Sequence, residues 1–181
     1  MDELITELSA RGFPVVRVNF PRSYVDVNRE PYELDPRMFS GRLPSFANTR
    51  SMRVAGGLGT IPRVVGDGQE IYRDRLSVDE GLARIETLYK PYHRALRRLI
   101  SRVLQSFGTV VVVDCHSMPS IGVTRDEPRR PDIVIGDRYG TSCAPPLSDR
   151  VAEAMSRLRY SVRRNKPYAG GPTPQHYPTP A

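Results

Sequence analysis

The 181-residue chain has the length of one domain with a buried core; it carries a formal charge of +7 and contains 17 Pro, 14 Gly and only two cysteines. So many Pro and Gly argue against a helical bundle, Cys115 and Cys143 are too few for a disulfide framework or a Cys-only zinc site, and no apolar run approaches the roughly 18 residues of a membrane span. The opening Met1-Asp2-Glu3-Leu4 lacks the basic-then-apolar layout of a secretory signal, so a reduced cytoplasmic setting is expected. Of the 27 basic residues, 25 are Arg, dispersed from Arg11 to Arg164 among acids. That dispersal counts against nucleic acid as a partner, whereas a basic field still attracts a small dicarboxylate.

Leu4, Ile5 and Leu8 predict a helix over residues 2–10 that Gly12 stops, followed by a strand over Phe13–Phe20. Residues 21–76, rich in Pro, Gly, Arg and Asn, read as a long irregular region of the kind that lines a site, with Gly56-Gly57-Leu58-Gly59 as a turn. Ser77 and Glu80 form a capping box, after which Leu82, Ile85, Tyr89, Tyr92, Leu96, Leu99 and Val103 keep an apolar stripe up to Gly108. Pro91 is expected to kink or split that helix. Thr109–Val113 predicts a central strand covered on both faces and Asp132–Gly136 a second; a helix follows Pro145-Pro146, and Tyr160–Arg163 reads as one more strand. Strands alternating with helices predict a mixed, largely parallel sheet flanked by helices, with ligands beyond the carboxyl ends of the strands. Residues 1–171 are expected to form a single α/β hydrolase-like domain and 172–181 a loosely packed, proline-rich tail.

Asp114-Cys115-His116-Ser117 closes the valine-rich run. In extended backbone Asp114 and His116 share one face and Cys115 the other, so the thiol and the imidazole cannot act as a nucleophile and base pair. His116 suits either metal ligation with Asp114 as an orienting carboxylate, or a plain hydrogen bond at a strand end. His93, read as a partly exposed helix position, and His176, in the tail, are set aside as ligands, and no local spacing completes a metal site. The run Arg22–Arg29 offers guanidinium groups for a carboxylate, or an Arg–Asp pair that only holds the loop. Gly136–Cys143 is either a site loop or a turn with an ion pair.

In order along nearly the whole chain, the segments Arg22–Arg29, Gly57–Pro62, Tyr89–His93, Asp114–Ser120, Gly136–Cys143 and Asn165–Gly171 resemble the N-formylglutamate amidohydrolase family, itself similar to the zinc carboxypeptidases and aspartoacylase. The resemblance implies a three-layer α/β sandwich of the phosphorylase/hydrolase-like type. It also implies a bound Zn2+ with His116 as ligand, and a carboxylate clamp at Asn28 and Arg29. Substrate contacts at Arg22, Asp137, Arg138 and Asn165 complete the implied set. The implied reaction cleaves the formyl amide of N-formylglutamate, giving formate and glutamate. Family members also carry an earlier His-x-Gly strand and, past the segment matched by His176-Tyr177, a strand with a general-base glutamate. The expectation is that this chain begins after the first and ends before the second, so no catalytic base is assigned within it. Two readings follow: a zinc-dependent amidohydrolase of this kind, or a non-catalytic protein that binds an acidic amino-acid derivative through Arg29 and Arg138. Oligomeric state leaves no mark in the sequence.

Overall fold

The protein, described here by a computed structural model covering residues 2–65, 68–118 and 131–170, divides into two compact units, Met1–Asp114 and Cys115–Ala181. In the first, α1 (Asp2–Ala10) ends where the sequence predicts, Gly12 taking the left-handed φ of 83° that a non-glycine residue resists. The core that follows is drawn mostly from the Pro- and Gly-rich region expected only to line a site: Val25, Leu34, Met38, Phe39 and Ile61 cluster with Ile85 and Tyr89. Turn chemistry explains how an irregular segment packs so well. Buried Asp35 accepts the Arg37 N–H at 3.0 Å to start a short 3-10 turn (Pro36–Met38), and binds the Arg37 and Arg63 guanidinium groups at 2.8 and 2.9 Å. These bonds offset the cost of burying its charge. From that turn β1 (Phe39–Ser40) runs parallel to β2 (Leu76–Ser77), and between them α2 (Met52–Ala55) is capped by Ser51, whose hydroxyl accepts the Val54 N–H at 3.1 Å.

The predicted cap at Ser77 is present: its hydroxyl accepts the Glu80 N–H at 3.1 Å and opens α3 (Val78–Arg84). A single turn of π-helix (Ile85–Tyr89) separates α3 from α4 (Lys90–Phe107), which ends at Gly108 with φ 71°. Near Pro91 the helix is thus split by one widened turn, a form that accommodates the N–H the proline lacks.

Two expected strands are not formed. Residues 13–20 and 109–113 have no ladder among the described residues, and Val111, Val112 and Val113 are 59%, 45% and 76% exposed. A central strand needs hydrogen-bonding neighbours on both edges as well as apolar side chains. The described residues supply none, because β1 pairs with β2 and the remaining two strands pair with each other. Those are β3 (Ile133–Ile135) and β4 (Val162–Arg164) of the second unit, parallel with Ile133 opposite Val162 and joined through α5 (Pro145–Arg157). This strand–helix–strand arrangement follows the sequence reading and carries its α/β, parallel-pairing expectation. The tail 172–181, with His176, lies outside the described residues, as do Pro119 and Ser120. No described helix is long and apolar enough to cross a membrane.

Gly59 is fixed by contact: a Cβ there would stand 2.2 Å from the Glu33 carbonyl oxygen, a backbone atom that cannot swing away. Gly59→Ala is expected to destabilise the chain by on the order of 2 kcal/mol, in the range of overpacking substitutions. Urea melts of the two proteins check this, and an unchanged midpoint refutes it.

Candidate active site

The loop after Phe20 is shaped by one carboxylate. Asp26, 5% exposed, receives Arg22 Nη2 at 2.8 Å and the backbone N–H of Asn28 at 3.0 Å, with Arg29 Nε 3.5 Å away. The Arg–Asp pairing that the sequence offered as a loop brace is thus present for Arg22. The Asp26 N–H donates to Thr60 O at 2.7 Å, the Thr60 N–H to Glu33 O at 2.8 Å, and the Thr60 hydroxyl to Glu30 O, so the turn after Gly59 and the loop are bound together.

On this base the Asn28-Arg29 pair is held from several sides. Asn28 Nδ2 donates to Asp114 Oδ2 at 3.2 Å, which ties the pair to the first residue of the Asp-Cys-His-Ser motif. Arg29 Nε donates to Leu58 O at 3.1 Å and Nη1 to Asn28 O at 3.0 Å, while Nη2 has no bond among the described residues. Burial pulls the Arg29 guanidinium below its ordinary pKa, with Asp26 opposing and the nearby Arg53 and Arg22 cations adding to the fall. Starting from the very high value of an arginine, the group stays a cation at neutral pH, partly desolvated and aimed by two backbone carbonyls. Such a guanidinium binds a carboxylate more strongly than one free in water. Arg53 sits 3.7 Å from Glu33 Oε1, a buried carboxylate whose second oxygen has no hydrogen bond among the described residues.

The loop after β3 in the second unit is built around Asp137, 3% exposed. Its Oδ1 accepts Asn165 Nδ2 at 2.7 Å and the Gly140 N–H at 3.1 Å; its Oδ2 accepts the Ser148 hydroxyl at 2.9 Å and Arg164 Nη2 at 2.6 Å. Those four bonds use the roughly four lone-pair sites a carboxylate has. Asn165 Oδ1 meanwhile accepts the N–H groups of Asp137 and Tyr139 at 3.0 and 3.4 Å. Asp137 and Asn165 therefore hold the loop that presents Arg138, whose left-handed φ of 53° that framework sustains. The Asn165 hydrogen bond leads the causes that hold the Asp137 carboxyl well below the usual carboxylate range, ahead of Arg164 and Ser148 and against the effect of burial.

His116 is exposed and so is not a core imidazole. Among the described residues no three His, Cys, Asp or Glu side chains gather where they could hold a metal ion. The described residues thus do not make a zinc site by themselves. His93 departs from its reading as partly exposed: it is 5% exposed, with Nε2 2.9 Å from Val27 O. Sequence reasoning gave no role to His93, nor to Tyr89, whose hydroxyl donates to Arg29 O at 2.6 Å. The available signal was two polar-tipped rings one helical turn apart, flanking a proline.

Parallel strand pairs among helices make this an α/β protein, and its fold matches that of a solved amidohydrolase. The chain belongs to the N-formylglutamate amidohydrolase family, whose sequence model matches residues 1–181. It is 30% identical over 173 residues to N-formylglutamate deformylase of Pseudomonas putida, covering 94% of this chain and 59% of that protein. It is 28% identical over 172 residues to the enzyme of the same name from Pseudomonas aeruginosa, covering 93% and 59%. Its fold resembles that of the crystal structure of N-formylglutamate amidohydrolase from Ralstonia eutropha JMP134, with a TM-score of 0.78 and 34% identity, covering 88% of this chain and 58% of that one. The chain thus spans just under three fifths of the length of these relatives.

Because the Asp137 carboxyl is depressed in the folded chain, its contribution to stability is complete above the ordinary carboxylate pKa and is lost as pH falls below about 4. Asp137→Asn removes the charge yet keeps the shape, and is expected to cost on the order of 2 kcal/mol at pH 7. The gap to wild type should narrow in melts at pH 3; a gap that is constant with pH contradicts the assignment.

Proposed function

We propose that this chain belongs to an enzyme that hydrolyses the formyl amide of N-formylglutamate. Arg29 and Asn28, with Arg22 beside them, grip a substrate carboxylate in this reading. The observation that carries it is the Arg29 guanidinium, partly buried and fixed by Leu58 O and Asn28 O with donors to spare. Its support from kinship is the family match and the names of the relatives. In the reaction a water oxygen adds to the formyl carbon, the C–N bond breaks, and a proton passes to the leaving amine, giving formate and glutamate. The clamp residues bind and orient; they do not exchange that proton, since a guanidinium stays protonated. Arg138 and His116 keep the parts that the resemblance gives them, a carboxylate contact and one ligand of a Zn2+. Asp137 and Asn165 serve by holding the Arg138 loop. The reading includes a cytoplasmic setting, two cysteines being too few for the disulfide framework of a small secreted domain.

Calorimetric titration of the 181-residue chain with N-formyl-L-glutamate is expected to show saturable binding, with Arg29→Ala weaker by roughly ten- to a hundredfold, the loss of a charge-assisted pair. Formate release on adding zinc supports hydrolysis. Binding with no formate under the same conditions supports a binding protein for an acidic amino-acid derivative, and absence of binding removes both.

A further inference from the structure

The π-turn and the two residues it sets in place have no part in the reading above, yet their bonds converge on the clamp. In a regular α-helix, residues five apart point about 140° away from each other. Arg84 and Tyr89 are five apart, and both meet the same loop: the Arg84 guanidinium lies 3.9 Å from the centroid of the Tyr24 ring, and the Tyr89 hydroxyl bonds Arg29 O. The wider turn makes this possible, because Lys90 N–H reaches back five residues to Ile85 O and brings Tyr89 round to the loop side. His93, one ordinary helical turn on, packs its ring against that of Tyr89, centroids 4.3 Å apart, and reaches Val27 O. A carbonyl oxygen can only accept, so this hydrogen bond requires a proton on Nε2. Val27 O and Arg29 O belong to the peptide groups on either side of the Asn28-Arg29 pair.

We infer that Tyr89 and His93 are positioning residues for the carboxylate clamp, the π-turn being the device that sets both donors in register with the backbone on each side of Asn28-Arg29. Both are buried, so each hydrogen bond is made out of competition with water and fixes the carbonyl it meets. The inference rests on the clamp reading for its function, but not for its geometry. Neither side chain touches the substrate; each acts through the main chain of the residues that do.

The test uses the full chain with Tyr89→Phe, His93→Leu and His93→Gln. His93→Gln retains a side-chain N–H at similar reach. Two readouts are taken: hydrogen exchange of the Arg29 Nε–H resonance, which needs no ligand, and affinity for N-formyl-L-glutamate. Tyr89→Phe and His93→Leu are expected to speed Arg29 Nε–H exchange and to weaken binding about tenfold, the scale of one buried hydrogen bond. His93→Gln is expected to restore both, which a general packing role would not predict. Unchanged Arg29 exchange in Tyr89→Phe and His93→Leu overturns the inference. Should His93→Leu fail to fold, unchanged exchange in Tyr89→Phe, or loss of the Arg29 signal in a folded His93→Gln, overturns it. If exchange responds as expected but the wild-type chain takes up no N-formylglutamate, the positioning stands and the carboxylate reading falls.

Discussion

Burying the Asp26 carboxylate is the constraint on which the first unit turns. An ionised carboxyl taken out of water is costly unless its lone pairs find donors, and the loop is folded so that they do. Arg22 and the Asn28 N–H bond it, Arg29 stands within ion-pair distance, and the Asp26 backbone N–H donates to Thr60 O. A loop without regular secondary structure thereby acquires a fixed shape. Its backbone groups are satisfied by a charge at the centre and by the neighbouring turn at its edge, in place of a ladder. The same carboxylate opposes the desolvation that would otherwise weaken the Arg29 cation, so the residue that shapes the loop also maintains the charge the loop displays.

A second support comes from the helix. Arg84 stacks on Tyr24, Tyr89 bonds Arg29 O and His93 approaches Val27 O, three contacts along six consecutive residues of the loop. One straight α-helix cannot present positions 84, 89 and 93 to one surface. The π-turn removes the mismatch at the cost of poorer local hydrogen bonding. Pro91 makes that cost small, since the bond its N–H would have made is absent in either form.

Local signals in the sequence were faithful where a few neighbouring residues decide the outcome. The cap at Ser77, the stop at Gly12, the helix after Pro145 and the β3–α5–β4 unit all depend on short-range chemistry, and all appear as read. Thr109–Val113 shows the limit. Its β-branched run states a preference for extended backbone, but strand status is conferred by neighbours, and propensity cannot report whether they are there. The core was missed for a related reason. Val25, Leu34, Met38, Phe39 and Ile61 have no common period, because turns rather than a helix or strand bring them together. The run Arg22–Arg29 could be read either as guanidinium groups suited to a carboxylate or as an Arg–Asp brace, and Asn28 entered only through the resemblance, whereas the support from His93 was not legible. Burial of a histidine on a helix depends on what lies across from it, and the loop across from it is sixty-odd residues away in sequence.

The two loops divide their polar residues into those consumed by the fold and those left with capacity. All four acceptor sites of Asp137 are taken, and Asn165 is committed on both sides of its amide. Such saturation holds the loop and leaves the Asp137 carboxylate without a spare acceptor site. Arg29 is the opposite case. Two of its nitrogens are bonded to carbonyls, which fixes the plane of the guanidinium, and the remaining N–H groups keep the parallel geometry a carboxylate requires. Ordering an arginine side chain at the moment of binding costs up to about 2 kcal/mol of rotamer freedom, and here that ordering is done during folding. A cation already stripped of part of its water and already aimed has less to lose when an acidic ligand arrives. In the proposed reading it is the burial of Arg29, rather than the number of arginines in the chain, that suits the loop to a small anion.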